Sequence, residues 1–353
     1  MKDLRVTHSV HSDRSPLSEP APAAQLAAER VAHQSLPPMP NVLRQPVAAG
    51  CWLIQAIVGI VCLLTLLTLA ATIPVLNLLT LGYLIEVQGR VARTGKLGDG
   101  LPLLPAARRA GLVMLWIALF LVPVRWLAGA ASDAWLISPG SAQAWLWVAG
   151  LLVVSLFVTA HLLLSLARGG GFWCFLRPLK IFLSFRAQLN DGKYWGRATR
   201  ELCGFFGALQ LVHHVRLAAF AYVGIVLWVA IPTAMFTAVS YVDGPWQRWL
   251  TLVGGLGLVP VLMWLPFLQT RFAAEGRFRA LFELGPVREL FRRAPFTWAL
   301  TLIVLYVTAF VPLFYIAKWK ANVPPHETTW DVMLIFLVMI YPAKVMLGWS
   351  YHR

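Results

Sequence analysis

Charge is what this chain has least of. Asp, Glu, Lys and Arg make up 13% of its 353 residues, against about 25% in an ordinary soluble domain. Residues 45–85 contain none of the four. No soluble helix needs to be apolar over such a length, whereas about 20 helical residues cross a hydrocarbon core about 30 Å thick. Cysteine is also scarce. Cys51, Cys62, Cys174 and Cys203 form no CxxC and have no zinc-ligand spacing, so each reads as a small hydrophobe. The chain has no HExxH, no GxSxG, no Walker-type glycine loop and no paired carboxylates inside an apolar run, which removes the recognisable enzyme classes. The expectation is a non-enzyme without metal or cofactor.

What is present is apolar. Charge-free stretches recur at 110–124, 134–167, 217–242, 249–270, 294–317 and 332–343. The expected fold class is all-α, a polytopic transmembrane bundle of seven or eight membrane segments. Residues 1–47 are polar and carry seven prolines from Pro16 to Pro46. They read as a disordered tail ahead of a transmembrane domain over 48–353, with the first apolar run as the insertion signal and no cleavable signal peptide.

The net charge of +15 follows from position. Basic residues crowd three connections, 89–109, 168–216 and 271–293, the last with six arginines, while 128–143 and 241–247 have none. Alternation of this kind marks cytoplasmic loops. It places those three loops and the C-terminus inside and argues against nucleic acid as partner. Trp126, Trp135, Trp145, Trp246, Trp249, Trp319 and Trp330 fall near the proposed outer connections, as an interfacial belt does. The first run exceeds one crossing. Pro74 breaks it, so 50–72 reads as a span and 74–88 as a shorter arm that returns. A single kinked span is the alternative.

Two cytoplasmic segments have the composition of interfacial amphipathic helices. Over 276–293, Phe278, Leu281, Phe282, Leu290 and Phe291 share a face, with Arg277, Arg279 and Arg288 around it. Over 172–189, Arg177, Lys180 and Arg186 interrupt an apolar surface. Anionic headgroups are the implied partners of these cations, together with protein partners of no stated kind. A helix packed under the bundle is the competing reading.

A repeat is also legible. Arg90-Val-Ala-Arg-Thr-Gly-Lys-Leu matches Arg271-Phe-Ala-Ala-Glu-Gly-Arg-Phe by class, and Arg108-Arg109-Ala110 matches Arg292-Arg293-Ala294. Both copies carry their basic part on the same side, which suggests parallel halves at 74–167 and 249–351.

The segment from Pro74-Val-Leu-Asn through Gly82-Tyr-Leu to Gly89-Arg-Val-Ala-Arg-Thr-Gly-Lys-Leu resembles the opening of a bacterial and archaeal multi-pass membrane family without an established activity, marked by P-x-x-N-x-x-x-x-G-Y-L and a basic helix. The Arg271 motif and Tyr341-Pro-Ala-Lys-Val-Met-Leu-Gly-Trp-Ser-Tyr resemble the same group. The resemblance implies an integral membrane protein and little else; the expected location is the bacterial cytoplasmic membrane.

Candidate functional positions are few. Glu86 and Arg90 are four apart, as a gate or as a local ion pair. His161 lies in an uncharged span, as a functional group or as a neutral histidine bonded to a neighbouring helix. Asn77 sits at the break, where a bond to a neighbouring helix is expected, and Arg271 heads the second basic motif. Arg125 and Lys344 are expected to snorkel towards the interfaces. His213 and His214 are adjacent and point about 100° apart, poorly placed to chelate one metal. The expected function is that of a structural, partner-binding or lipid-binding component; a secondary transporter built on the repeat is the alternative.

Overall fold

The computed structural model describes residues 40–41, 44–168, 175–176, 194–241, 244–320 and 325–353. Among them the regular structure is helical and no strand occurs. Of the N-terminal tail, residues 1–39 lie outside this set, as does the amphipathic segment expected at 172–189 apart from two residues, with Arg177, Lys180 and Arg186.

Helix α1 (Pro46–Thr72) opens with proline at its first position, where the missing N–H costs nothing. The helix thus starts before the expected 50 and takes in the end of the tail. It ends because Pro74 follows: Ile73 is extended at φ −103°, ψ 119°, the conformation that a residue before proline prefers. After a turn, α2 (Asn77–Thr94) folds back on α1, and the Thr80 hydroxyl donates to the Leu67 carbonyl at 3.0 Å. A straight continuation would hold those residues about 20 Å apart. The first apolar run is therefore a hairpin, not one kinked helix.

Helix α3 (Leu104–Ile137) is about 50 Å long and pairs with α4 (Ala142–Ala167), which Ser141 caps by accepting from the Ala144 amide at 3.1 Å. At their shared end Trp135 meets Trp145 edge-on at 5.4 Å. Helix α5 (Tyr194–Leu209) turns into α6 (Leu211–Phe236) through Gln210, left-handed at φ 48°. Helix α7 (Trp246–Glu275) follows, then the short α8 (Leu284–Arg293), α9 (Pro295–Tyr315) and α10 (Pro325–His352). Seven helical stretches among the described residues are long and apolar enough to cross a membrane, and α2 is not one of them.

Instead α2 is the hub. Ile85, Val87, Gln88 and Val91 are fully buried. One side of α2, with Tyr83, Leu84 and Val87, packs on α1 and α10 in a core that Leu305 of α9 also joins, and Ile85 packs against α6 and α7 through Ala221, Phe272 and Ala273. Contact with α7 is backbone-close, since a Cβ on Gly89 would stand 2.6 Å from the Ala273 carbonyl oxygen.

The repeated motifs share their local geometry. Gly95 and Gly276 both cap their helices at φ near 70°, and each amide bonds the carbonyl four residues back at 2.8 Å, the left-handed cap that glycine allows. The following Lys96 and Arg277 are both extended, and each begins a four-residue 3₁₀ turn, Leu97–Gly100 and Phe278–Leu281. An aromatic donor meets the last carbonyl of each turn. The Tyr341 hydroxyl reaches Gly100 at 2.7 Å, and the Trp228 indole reaches Leu281 at 2.9 Å. The surroundings differ, however. Helix α10 packs into the centre against α2, α1 and α9, whereas α4 lies at the periphery on α3 and α5.

The segment 276–293 is not one helix. Gly276 and Glu283 break it, leaving the 3₁₀ turn and α8. Leu281 and Val287 are fully buried against the bundle, while Phe282 and Phe291 stay about 40% exposed. Its apolar face thus lies largely under the bundle, and the cations point outward: Arg277, Arg279, Arg288, Arg292 and Arg293 are exposed or nearly so.

Candidate functional site at the basic end of the bundle

The basic segments after α2 and α7 meet the C-terminus at one end of the molecule. The His352 ring donates to the Ala92 carbonyl at 3.0 Å, and Arg93 reaches the Ala273 carbonyl at 2.7 Å. The C-terminus, the end of α2 and the end of α7 are therefore neighbours.

Glu86 organises this end. Its carboxylate accepts from Arg90 at 3.0 Å, from Arg93 at 3.2 Å and from the His213 ring at 3.3 Å. Glu86, Arg90 and Arg93 are spaced four and three apart, which places all three on one face of α2. The expected Glu86–Arg90 pair is there, but within a larger cluster. The spacing could have pointed to Arg93. Nothing local could have pointed to His213, which is 127 residues away and arrives because α6 packs along α2. His214, beside it, is turned inward, only 4% exposed, with its ring against Tyr83 at 5.7 Å.

Arg271 heads the equivalent motif and is also buried. It donates to Glu275 at 2.8 Å and forms a close ion pair with Glu283, while Arg277 closes on the same Glu275 from outside. That contact raises the Arg277 guanidinium further above its ordinary range. So Glu86 and Arg271 are each the buried centre of a compact ion network, and the two networks flank the crossing of α2 and α7.

Between them lies a cavity of about 940 Å³, open on one side. Glu86, Arg93, His213 and Glu275 supply its polar wall, and Phe206, Leu211, Val212 and Leu217 on α5 and α6 supply its apolar wall. Gln210, in its left-handed conformation, joins the two helices at its edge. A charged wall facing an apolar one suits an amphiphile better than a small polar solute.

The remaining sequence candidates lie elsewhere. Asn77 does not bond a neighbouring helix: its side chain is exposed, and its amide bonds Ile73 at 2.8 Å. The bend puts it at the rim of the hairpin, and Thr80 makes the interhelical bond instead. His161 is fully buried on α4 and donates from Nε2 to the Phe175 carbonyl at 3.0 Å, with Phe120 at 4.8 Å. Its partner is a carbonyl following α4, not a neighbouring long helix. Neither residue lines the cavity. Lys344 does not snorkel to the end of its helix; its ammonium turns to Gln269 on α7 at 3.4 Å. Arg125 is exposed. No group of three metal-ligating side chains occurs among the described residues.

Seven apolar helices around a buried hairpin arm make this a multi-pass α-helical membrane protein. No protein-family model, curated protein or solved structure matches the chain. The resemblance of its Pro74 and Arg271 segments to a membrane family therefore brings no activity with it.

Proposed function

We propose that the protein is a non-catalytic component of the bacterial cytoplasmic membrane, with its basic end inside, and that it seats an anionic lipid headgroup in the cavity beside Glu86. The cavity carries this reading. Arg93 and His213 present half-exposed cationic or protonatable groups at its polar wall, and Phe206, Leu211 and Leu217 offer acyl chains an apolar one. Phosphate or carboxylate at such a site gains charge-assisted hydrogen bonds, and Arg277, Arg279 and Arg288 add long-range attraction for anionic lipid, about 1 kcal/mol for each cation near the surface.

The test is lipid retention by the full chain purified from membranes of mixed phosphatidylglycerol and phosphatidylethanolamine. Native mass spectrometry should find anionic lipid enriched on the wild type and reduced severalfold on Arg93→Gln. Equal retention of both lipids, or no effect of Arg93→Gln, rejects the reading. A transporter is the second reading, supported by the matched geometry of the two motifs. Solute flux into vesicles bearing the protein, above that of empty vesicles, would favour it.

A further inference from the structure

A second polar cluster lies away from the cavity, where α2, α7 and α10 meet. Gln88 is fully buried, and neither its amide nitrogen nor its carbonyl oxygen has a hydrogen-bond partner. A buried, unpaired carboxamide is expensive and calls for an occupant. Its place follows from the packing of α2. Leu84 faces α10, Ile85 faces α7, and Gln88, four and three residues on, lies in the seam between them.

On α10, Ala343 belongs to the cluster that includes α2, and Leu347 to the cluster with Phe267 and Leu268 of α7. Gly348 touches Gln88 of α2, and Lys344, one turn earlier, lies between the directions of Leu347 and Gly348 and reaches Gln269 of α7. Helices α2 and α10 run parallel, with Tyr83 meeting Tyr341 at one end and Ala92 meeting His352 at the other. They touch at Gly348, where a Cβ would stand 2.3 Å from the Gln88 carbonyl oxygen. Side chains lean towards the start of their helix, so Gln88 leans towards the turn that carries Lys344. Gln88 and Gln269 also occupy the same position in the two repeated motifs, two residues before Arg90 and Arg271.

We infer that this seam binds a small monovalent anion, held by the Lys344 ammonium and the carboxamide N–H groups of Gln88 and Gln269. Lys344 has no carboxylate partner among the described residues, and a lone ammonium within a bundle is unfavourable until a counter-charge joins it. Gln269 spends its oxygen on Lys344, which leaves its nitrogen to donate. Gln88 meets an anion with its own nitrogen. Close backbone approach at Gly348 excludes a headgroup from the seam, so the anion is a small one.

The full chain in detergent, with chloride exchanged for gluconate at constant ionic strength, provides the test. The midpoint of thermal unfolding should rise with chloride and saturate. Lys344→Met should abolish the response, Gln88→Leu should weaken the apparent affinity about tenfold, and Arg93→Gln at the basic end should leave it intact. Chloride-35 line broadening by the wild type, reversed by bromide, reads the same site without relying on a variant that folds. Indifference of the wild type to chloride in both measurements, as a seam filled only by water would give, overturns the proposal. So does an unchanged response in Lys344→Met, or loss of the response in Arg93→Gln.

Discussion

Ion pairs in this protein have unequal weight, and exposure separates them. Glu86 is 11% exposed at its side chain and answers three partners, whereas Arg293 and Glu289 are 76% and 48% exposed. Removing one member of a buried network strands the others; removing one member of an exposed pair costs little. Glu86→Ala should therefore lower stability by about 3 kcal/mol, and Glu289→Ala by less than about 0.5 kcal/mol. Thermal unfolding in detergent compares them. Equal shifts would mean that the Glu86 cluster is no more than a solvated surface pair.

Among the elements, α2 depends on close approach. A methyl group on Gly89 meets α7 backbone at 2.6 Å, while Gly129 on α3 has nothing within 4 Å of where a Cβ would stand. Gly89→Ala should destabilise by about 2 kcal/mol or more, since packed helices yield little. Gly129→Ala should be neutral, or stabilising by up to about 1 kcal/mol, from helix propensity alone. Opposite signs in the same melting assay are the expected result, and a loss at Gly129 as large as at Gly89 contradicts the packing described. This contrast also marks the limit of reading the sequence. The helices, the hairpin break at Pro74 and the Glu86–Arg90 pair depend on neighbours in the chain and were legible. His213 on Glu86, Lys344 on Gln269 and the division of 276–293 depend on which helices pack together. No local spacing encodes those partners. The repeat was legible where backbone geometry is shared, at Gly95 and Gly276, and says nothing of why α4 and α10 sit so differently.

At the scale of the whole molecule, the ends of α2, α7 and α10 share one end of the bundle, and the turns at Gly140 and Gly244 follow helices running away from it. A reporter placed after Arg353 or near Gly95 should read as cytoplasmic, and one near Gly140 or Gly244 as external, by the excess of Lys and Arg at the first end. Cytoplasmic labelling at Gly140 would overturn the threading, because the hairpin couples every later crossing to the first. The hairpin has a further consequence, for assembly. Helix α2 leaves the ribosome after α1, yet α6, α7 and α10, which cover it, come much later, α10 after the other two. Until then its Gln88 is uncovered and its Glu86 and Arg93 lack their partners on α6 and α7, and a polar helix of this kind is a poor lodger in lipid. The nascent chain must hold α2 beside α1, or outside the bilayer, through the synthesis of some 260 further residues. The bundle closes from its end back to its beginning.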